Sequence, residues 1–326
     1  MYSPLTLVRK STEECVTKAR HVKIDNIALE QFANNLDPAD CISKEFTDEN
    51  FPKRLSEEET FAFIMLFDVM NFCFWCEPKW LVQHDNKQTG GSAGLLLVVT
   101  RVIEKNRSLL TPTKAHSSQL VLQLKEEFSS HGNTIPMLDR RLQNVKRLWL
   151  IVAEQHKTFH DIYRRCEGDA EMFIKHITSG PFASLFDDVS DCDRKPVAFY
   201  KRAQLVVEHL TTLGRIGKFG LQFTGSDKLT ALADYKIPQV LNVNGILEYS
   251  TTLMNKIKNQ EQLRHGSTAE VEIRSATVQA VERIAAIVTK KNPSITANMV
   301  GYACWQKSRL LNGGTTPHHR TYTSAY

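Results

Sequence analysis

Apolar residues recur every three or four positions over long parts of this chain, the spacing that aligns them on one face of an α-helix. One such stripe consists of Leu138, Leu142, Val145, Trp149 and Val152. A second consists of Phe199, Ala203, Val206, Leu210 and Leu213, with Gly214 at a position typical of a C-terminal cap. A third consists of Val278, Val281, Ala285 and Val288, and it stops before Asn292-Pro293, where the proline ring disfavours further helix. Helix is therefore the dominant predicted element.

Strand signals are few and short. The apolar run at residues 94–99 cannot be assigned by periodicity, whereas residues 269–274 alternate Val271 and Ile273 with charged neighbours, as a strand would. These signals allow at most a small β-hairpin. We therefore predict a mainly α protein, with residues 1–326 in a single helical domain and residues 307–326 as an extended C-terminal tail.

The composition indicates a globular, water-soluble chain. Hydrophobic residues make up 42% and charged residues 24%, and a net charge of +5 is a mild bias towards anions. That charge is too small for a duplex DNA interface, whereas small phosphates remain suitable ligands. The most apolar stretch, residues 61–76, contains Asp68 and Asn71 and is shorter than the roughly 20 residues of a membrane span, so we expect a core helix there.

The cysteines and the N-terminus indicate a reducing, cytoplasmic compartment. The chain has seven cysteines, an odd number at irregular spacing, and no charged and apolar leader opens it. We therefore expect a cytoplasmic protein without a disulfide framework.

Familiar cofactor and metal motifs fail on inspection. The glycines of segment 214–220 have neither dinucleotide-binding nor P-loop spacing. His156 and His160 are four apart, but the glutamate that a zinc protease needs beside the first histidine is missing. Cys73 and Cys76 have no second cysteine pair at ligand spacing, which favours core thiols. We therefore expect neither a metal nor a cofactor.

Two segments contain polar groups where burial would be costly. Asn71 stands among the aromatic residues of MNFCFW, so its amide either finds partners in the core or faces a ligand. In FYKRAQ, the cations Lys201 and Arg202 open a predicted helix, where they oppose the helix dipole. In one interpretation, these cations and the free backbone N–H groups of the helix start bind an anion. In the other, they are a basic pair whose charged ends extend into solvent.

A carboxylate lies at a predicted junction in LTALADYKIPQVL. Asp234 interrupts an apolar pattern, and Pro238 suits the first turn of a following helix, so we expect Asp234 between two helices. A carboxylate in such a partly buried corner is either salt-bridged for structure or poised for chemistry.

Taken together, these segments resemble one family. NFCFW, FYKRAQ and ADYKIPQVL, followed by GILEYS at residues 245–250 and EVEIR at residues 270–274, occur in the order found in the queuosine salvage protein family. The resemblance extends from about Asn71 to Trp305. It implies a helical fold related to helix-hairpin-helix DNA glycosylases and an N-glycosidase that hydrolyses queuosine 5′-monophosphate, which releases queuine for reuse in transfer RNA.

The resemblance also implies the site residues. The family's catalytic carboxylate is the Asp of its ADY motif, here Asp234, which would stabilise or attack an oxocarbenium-like centre. Lys201 and Arg202 would bind the 5′-phosphate. The remaining substrate-binding candidates are aromatic or polar residues and the neighbours of the carboxylate: Asn71, Phe72, Trp75, Tyr200, Leu232, Ala233, Tyr235 and Tyr302.

The chain departs from the family pattern in three places. The DYxxWD-like motif reads GYACWQ, so Gly301 and Gln306 replace two carboxylates that could meet the amine of queuine. The aromatic SGYWSL-like segment is replaced at residues 91–96, and the usual early histidine is absent near residues 48–52. These changes affect the expected base pocket but leave Asp234 in place.

The expected partner is a free nucleotide, bound by a monomer that forms no stable nucleic-acid complex and inserts into no membrane. Two alternatives stay open. A diverged, non-catalytic nucleotide-binding member would bind without releasing product. A DNA-acting glycosylase would need a glycine-rich hairpin that grips the DNA backbone, and the sequence has none.

Overall fold

Helices dominate the fold. The computed structural model describes residues 2–47, 49–129, 132–311 and 316–326. Their α-helices are α1 Pro4–Val16, α2 Asn26–Asn34, α3 Glu57–Val69, α4 Gly91–Lys105, α5 Lys114–Ser129, α6 Leu138–Gln155, α7 Phe159–Arg165, α8 Ala170–Ile177, α9 Ala183–Phe186, α10 Lys201–Arg215, α11 Ile237–Val243, α12 Thr251–Lys258, α13 Thr268–Val288 and α14 Ala297–Ser308. Short 3₁₀ turns occupy Pro38–Cys41, Arg107–Leu110, Gly180–Phe182 and Ser226–Lys228. The predicted mainly α class is confirmed.

The three apolar stripes are confirmed as helices. They lie on α6, α10 and α13, except that Phe199 precedes α10. All of their residues are buried apart from Leu138, at the start of α6. Gly214, however, is not a cap, because α10 continues to Arg215. The glycine with a positive φ, 72°, is Gly217, two residues beyond the end of the helix.

Three segments differ from the structure expected for them or had no structure assigned from the sequence. Residues 269–274 form no strand and belong to α13, because their charged side chains are buried and paired within the core instead of facing water. The unassigned run at residues 94–99 is part of α4. The expected core helix at residues 61–76 ends at Val69, and an irregular aromatic segment follows it.

Strands form only two-stranded antiparallel pairs among the described residues. The hairpins are β2 Val82–His84 with β3 Lys87–Thr89, and β4 Val189–Cys192 with β5 Lys195–Ala198. A third pair joins β1 Val22–Ile24 to the distant β6 Leu247–Tyr249, with Lys23 opposite Glu248. No large sheet exists in this part of the chain, as expected.

The interior consists of packed clusters that meet at one loop. The largest surrounds α3, whose residues from Thr60 to Val69 are all buried, and a second surrounds α11, α13 and α14. Residues 229–236 run between them. Leu229 packs in the first cluster, Ala231 in the second and Ala233 in a third, smaller one, so this loop lies at the meeting point of the clusters.

The C-terminal segment is packed into the molecule. The tail expected at residues 307–326 begins inside α14, and Gly313 and Gly314 lie outside the described residues. Residues 316–326 contain no helix or strand, but the Tyr326 carbonyl accepts the N–H of Cys73 at 2.9 Å and its side chain is buried. This segment therefore completes the core beside the aromatic stretch after α3.

No helix within the described ranges is long and apolar enough to cross a bilayer.

Candidate active site

Asp234 lies in the loop that joins the core clusters. Its Oδ1 accepts the backbone N–H groups of Lys236 at 2.7 Å and Ile237 at 3.0 Å, at the start of α11. Pro238 occupies the first turn of that helix, as predicted, but the residues before Asp234 are irregular and not helical. Asp234 is half-buried, and its Oδ2 accepts no hydrogen bond from any residue that the structure describes. Backbone groups thus fix one carboxylate oxygen, while the other has no hydrogen bond from the residues in the described ranges.

Lys201 is the first residue of α10 and stands near Asp234. Burial lowers the pKa of Lys201, and the charges of Asp234, Asp68 and Glu45 oppose that shift. Its backbone N–H donates to Asp188 Oδ2 at 3.1 Å, whereas its Nζ has no hydrogen bond or ion pair among the described residues. Within the part of the chain that the structure describes, the side-chain nitrogen of this buried lysine is therefore available to an anion.

Arg202 is placed differently from Lys201. Its Nη1 donates to the Val69 carbonyl at 3.0 Å, and its Nη2 donates to the Leu185 carbonyl. The side chain is buried beside Phe72, and burial lowers its pKa to about 10. The structure thus separates the two expected phosphate ligands, since Arg202 links the ends of α3 and α9.

The aromatic segment after α3 supplies a wall beside the loop. Phe72 is buried, with the guanidinium of Arg141 at 4.3 Å from its ring centroid. Arg141 donates to the carbonyls of Met70, Phe72 and Cys73, and burial lowers its pKa to about 9. A buried guanidinium thus fixes the backbone turn of NFCFW.

Of the other expected binding residues, Asn71 and Trp75 lie in the aromatic segment after α3, and Tyr302 lies on α14. Asn71 donates to Asp68 Oδ1 at 3.3 Å and is buried, while Trp75 is half-buried and donates to the Thr321 carbonyl. Tyr302 on α14 accepts the N–H of Lys44 at 2.9 Å. These side chains belong to different elements around the loop.

The residues next to Asp234 contact the aromatic segment after α3 and the C-terminal segment. Tyr235 accepts the N–H of Phe74 at 3.4 Å, and its ring lies 4.5 Å from that of His318. Leu232 is half-buried and Ala233 is buried. Tyr200, the residue just before α10, is also half-buried. The loop is therefore packed against the aromatic segment on one side and the C-terminal segment on the other.

The substituted motif GYACWQ lies on α14, next to the same loop. A side chain on Gly301 would start 3.6 Å from Cα of Ala231 and 3.7 Å from Ile237. Gln306 donates to the hydroxyl of Tyr302, so its amide is used within α14. Gly301 thus lies beside Ala231 of the loop, and neither Gly301 nor Gln306 carries a charge.

Sequence reasoning missed a buried histidine between two carboxylates. His209 Nδ1 lies 2.9 Å from Asp68 Oδ2, and its Nε2 lies 3.3 Å from Glu45 Oε2. Burial opposes the charged ring, but the charges and hydrogen bonds of Asp68 and Glu45 outweigh it and raise the pKa of His209 to about 10. The ring is therefore protonated at neutral pH, and as an imidazolium it fixes Glu45 near Lys201.

Sequence reasoning also missed a buried ion pair. Arg274 of α13 donates to both carboxylate oxygens of Asp188, at 2.8 and 2.7 Å. The spacing of Glu270 and Arg274, four apart, is the available signal, since it suits an ion pair on one helix face. The apolar alternation of the segment obscured it.

The described residues contain no cluster of three or more His, Cys, Asp or Glu side chains suited to a metal ion. His156 follows the last residue of α6 and His160 lies in α7, so these two histidines do not share a helix face.

Comparisons with known proteins agree on one family. A family model described as "Queuosine salvage protein" matches residues 51–326. A protein of Sphaerobacter thermophilus named queuosine 5′-phosphate N-glycosylase/hydrolase is 30% identical, over 98% of this chain and 97% of the relative. Proteins with the same name from Dictyostelium discoideum and Mus musculus are 28% and 26% identical, and the matches cover 99% and 96% of this chain and 100% and 96% of those relatives.

Proposed function

The chain belongs to the queuosine salvage protein family, and we propose that it hydrolyses the N-glycosidic bond of queuosine 5′-monophosphate and releases queuine. The names of its relatives support this substrate, since they are called queuosine 5′-phosphate N-glycosylase/hydrolase. The structural observation that carries the proposal is the half-buried carboxylate of Asp234, with one oxygen fixed and the other open.

The chemistry requires such a group. Cleavage of a ribose–base bond builds positive charge on the sugar, and a preorganised carboxylate stabilises or attacks that centre. Lys236 and Ile237 donate their N–H groups to Oδ1 of Asp234, which leaves Oδ2 to face the anomeric carbon. The group needs no reorganisation during the reaction, because a helix start already orients it.

We assign the 5′-phosphate to Lys201. Its ammonium lies close enough to Asp234 for their charges to interact, and it makes no hydrogen bond with the described residues. A phosphate would provide the charge-assisted partner that this buried cation lacks. Arg202 supplies positive charge from the wall and holds the carbonyls of Val69 and Leu185.

The base pocket lies between the aromatic segment, the Asp234 loop and α14. Queuine is a 7-deazapurine, so the leaving base is stabilised through its remaining heteroatoms and by stacking. We assign these contacts to Asn71, Phe72, Trp75, Tyr200, Tyr235 and Tyr302, with Leu232 and Ala233 lining the loop side.

We further propose that the protein acts in the cytoplasm as a monomer on the free nucleotide, without a stable nucleic-acid complex. Its seven cysteines are all free thiols, and all but Cys76 are buried, which suits a reducing compartment.

The test is release of queuine by purified protein from queuosine 5′-monophosphate, followed by chromatography and mass spectrometry. Asp234→Asn keeps an oxygen that accepts the two N–H groups and removes only the charge, so we expect turnover to fall on the order of a hundred- to a thousandfold. Asp227→Asn makes the same chemical change at an exposed position of the preceding turn and should retain full activity.

Two results would contradict the proposal. Wild-type protein that binds the nucleotide but releases no queuine is a binding protein. Equal activity of Asp234→Asn and wild type would remove Asp234 from the reaction.

A further inference from the structure

Arg274 joins two segments of the proposed site from within the core. Its Nη1 and Nη2 donate to Oδ1 and Oδ2 of Asp188 at 2.8 and 2.7 Å, and its Nε donates to the Ala233 carbonyl at 3.1 Å. The side chain is fully buried, and its guanidinium lies 3.8 Å from the ring centroid of Phe199 and 4.3 Å from that of Tyr326. A planar fork with this many fixed partners has one orientation.

The Asp188 end of this contact fixes the start of α10. Asp188 Oδ2 also accepts the N–H of Lys201 at 3.1 Å, and the Asp188 carbonyl accepts the N–H of Phe199 at 2.9 Å. Tyr200, between them, has a φ of 51°, so the chain enters the helix through a left-handed residue. A carboxylate at a helix N-terminus is favoured by the free N–H groups and the helix dipole. Asp188 therefore sets where the side chain of Lys201 begins.

The Ala233 end fixes the residue before Asp234. The carbonyl that Arg274 holds is one peptide bond away from Asp234, so its position limits where the carboxylate can lie. A second link holds the beginning of the same loop, since Thr230 donates its N–H to Gln204 Oε1 at 2.9 Å. Among the described residues, the hydrogen bond of Arg274 is the only one from α13 that reaches the Asp234 end of the loop.

We infer that Arg274 is a positioning residue that sets the geometry between Asp234 and Lys201 by holding the Ala233 carbonyl and the Asp188 carboxylate at once. The inference rests on the proposed function for its kinetic consequence. A carboxylate that must meet the anomeric carbon while an ammonium holds the phosphate depends on a fixed separation, and a shift of about 1 Å costs on the order of a hundredfold in rate.

The informative variant is Arg274→Lys, since removal of the cation would leave the buried Asp188 unpaired and could prevent folding. A lysine keeps a charge beside Asp188, but one ammonium cannot reproduce the bidentate pair and also reach the Ala233 carbonyl. We expect kcat for queuosine 5′-monophosphate to fall by about tenfold or more, with a much smaller change in KM.

A matched control is available on α1. Arg9 also binds a carboxylate and a carbonyl, Glu282 at 3.1 Å and Lys228 at 2.7 Å, but it touches neither Asp234 nor Lys201. Arg9→Lys should lower the midpoint of thermal unfolding without changing kcat. If Arg274→Lys likewise lowers only the midpoint and leaves kcat at the wild-type value, Arg274 is structural and the inference is wrong.

Amide hydrogen exchange separates this inference from the proposed function. In Arg274→Lys we expect faster exchange at the amides of Lys201, Lys236 and Ile237, with unchanged exchange in the core of α6. Unchanged exchange at those three amides, or equal acceleration in α6, would overturn the positioning role even if the protein releases no queuine.

Discussion

At the scale of single residues, two carboxylates of the proposed site accept backbone N–H groups at the start of a helix. Asp234 is held by two N–H groups at the start of α11, and Asp188 holds an N–H at the start of α10. Hydrogen bonds from free N–H groups at a helix start favour an ionised carboxylate without neutralising it. Each of these helix starts therefore fixes a carboxylate close to Lys201.

The charge of Lys201 should matter for the nucleotide and not for the nucleoside. We expect Lys201→Met to raise KM for queuosine 5′-monophosphate about 10- to 100-fold, because a charge-assisted hydrogen bond is worth about 1.5–3 kcal/mol. KM for queuosine should change little in the same steady-state assay. Lys228→Met serves as the control, because Lys228 is exposed in the turn that precedes the Asp234 loop. An equal effect on both substrates would contradict the phosphate assignment.

His209 should make stability depend on alkaline pH. Because its folded-state pKa is about 10, above the ordinary value of 6.5, its contribution is complete below pH 6.5 and is lost as pH rises towards 10. Over that window the free energy of unfolding should fall as pH rises, because the unfolded chain has lost the proton that the folded ring still holds. Urea unfolding of wild type and His209→Gln between pH 6 and 10 measures this difference.

The stability gap between wild type and His209→Gln should narrow as pH rises. His116→Gln, which replaces a ring that bonds a surface carbonyl, should give a constant gap. A constant gap for His209→Gln as well would show that the buried ring is neutral.

At the scale of elements, the sequence predicted three helices from stripes of apolar residues. The stripes of α6, α10 and α13 were recognised because apolar residues return every three or four positions. The start of α13 was mistaken for a strand because Glu270, Glu272 and Arg274 are polar yet buried. Glu272, for example, accepts the backbone N–H groups of Arg20 and His21. Because these polar residues are buried, the apolar residues of this segment alone do not show the helical repeat.

The turn between α7 and α8 tests how closely two elements are packed. Gly168 has a φ of 66°, and a Cβ there would lie 2.6 Å from the hydroxyl of Tyr163. We expect Gly168→Ala to lower the free energy of unfolding by roughly 2–4 kcal/mol, through backbone strain and displacement of the tyrosine. Urea denaturation measures the change.

Gly180→Ala is the matched control for this substitution. Gly180 has a φ of 53°, but a Cβ there would meet nothing within 4 Å, so only backbone strain of about 1–2 kcal/mol is expected. Equal losses for the two variants would mean that the contact with Tyr163 adds nothing.

At the scale of the whole molecule, the sequence indicated candidate residues for the chemistry but not which ones meet. Asp234 was selected because it interrupts an apolar pattern, and Lys201 because it is a cation at the start of a predicted helix. Arg274 with Asp188, and His209 with Glu45, join positions that are far apart in the chain, and spacing contains no information about such contacts. The separate structural use of Arg202 was hidden for the same reason, since its partners are backbone carbonyls.

The C-terminal segment should be essential for stability. Deleting residues 319–326 removes the buried side chains of His319 and Tyr326 and the carbonyls that bind Trp75 and Cys73. We expect the midpoint of thermal unfolding to fall by about 5 °C or more. Tyr322→Ala, at a residue that is 52% exposed, should change it little. An unchanged midpoint after the deletion would mean that the segment is only loosely attached.

The pairing of β1 with β6 also affects how the chain reaches its native state. These strands lie far apart in the sequence, and the neighbouring contact between Arg20 and Glu272 spans 252 positions. Closing such long loops costs entropy before any native contact is gained, so folding rates decrease as contacts become less local. We therefore expect individual helices to form early, and the loop that carries Asp234 to reach its final position only after these distant segments have paired.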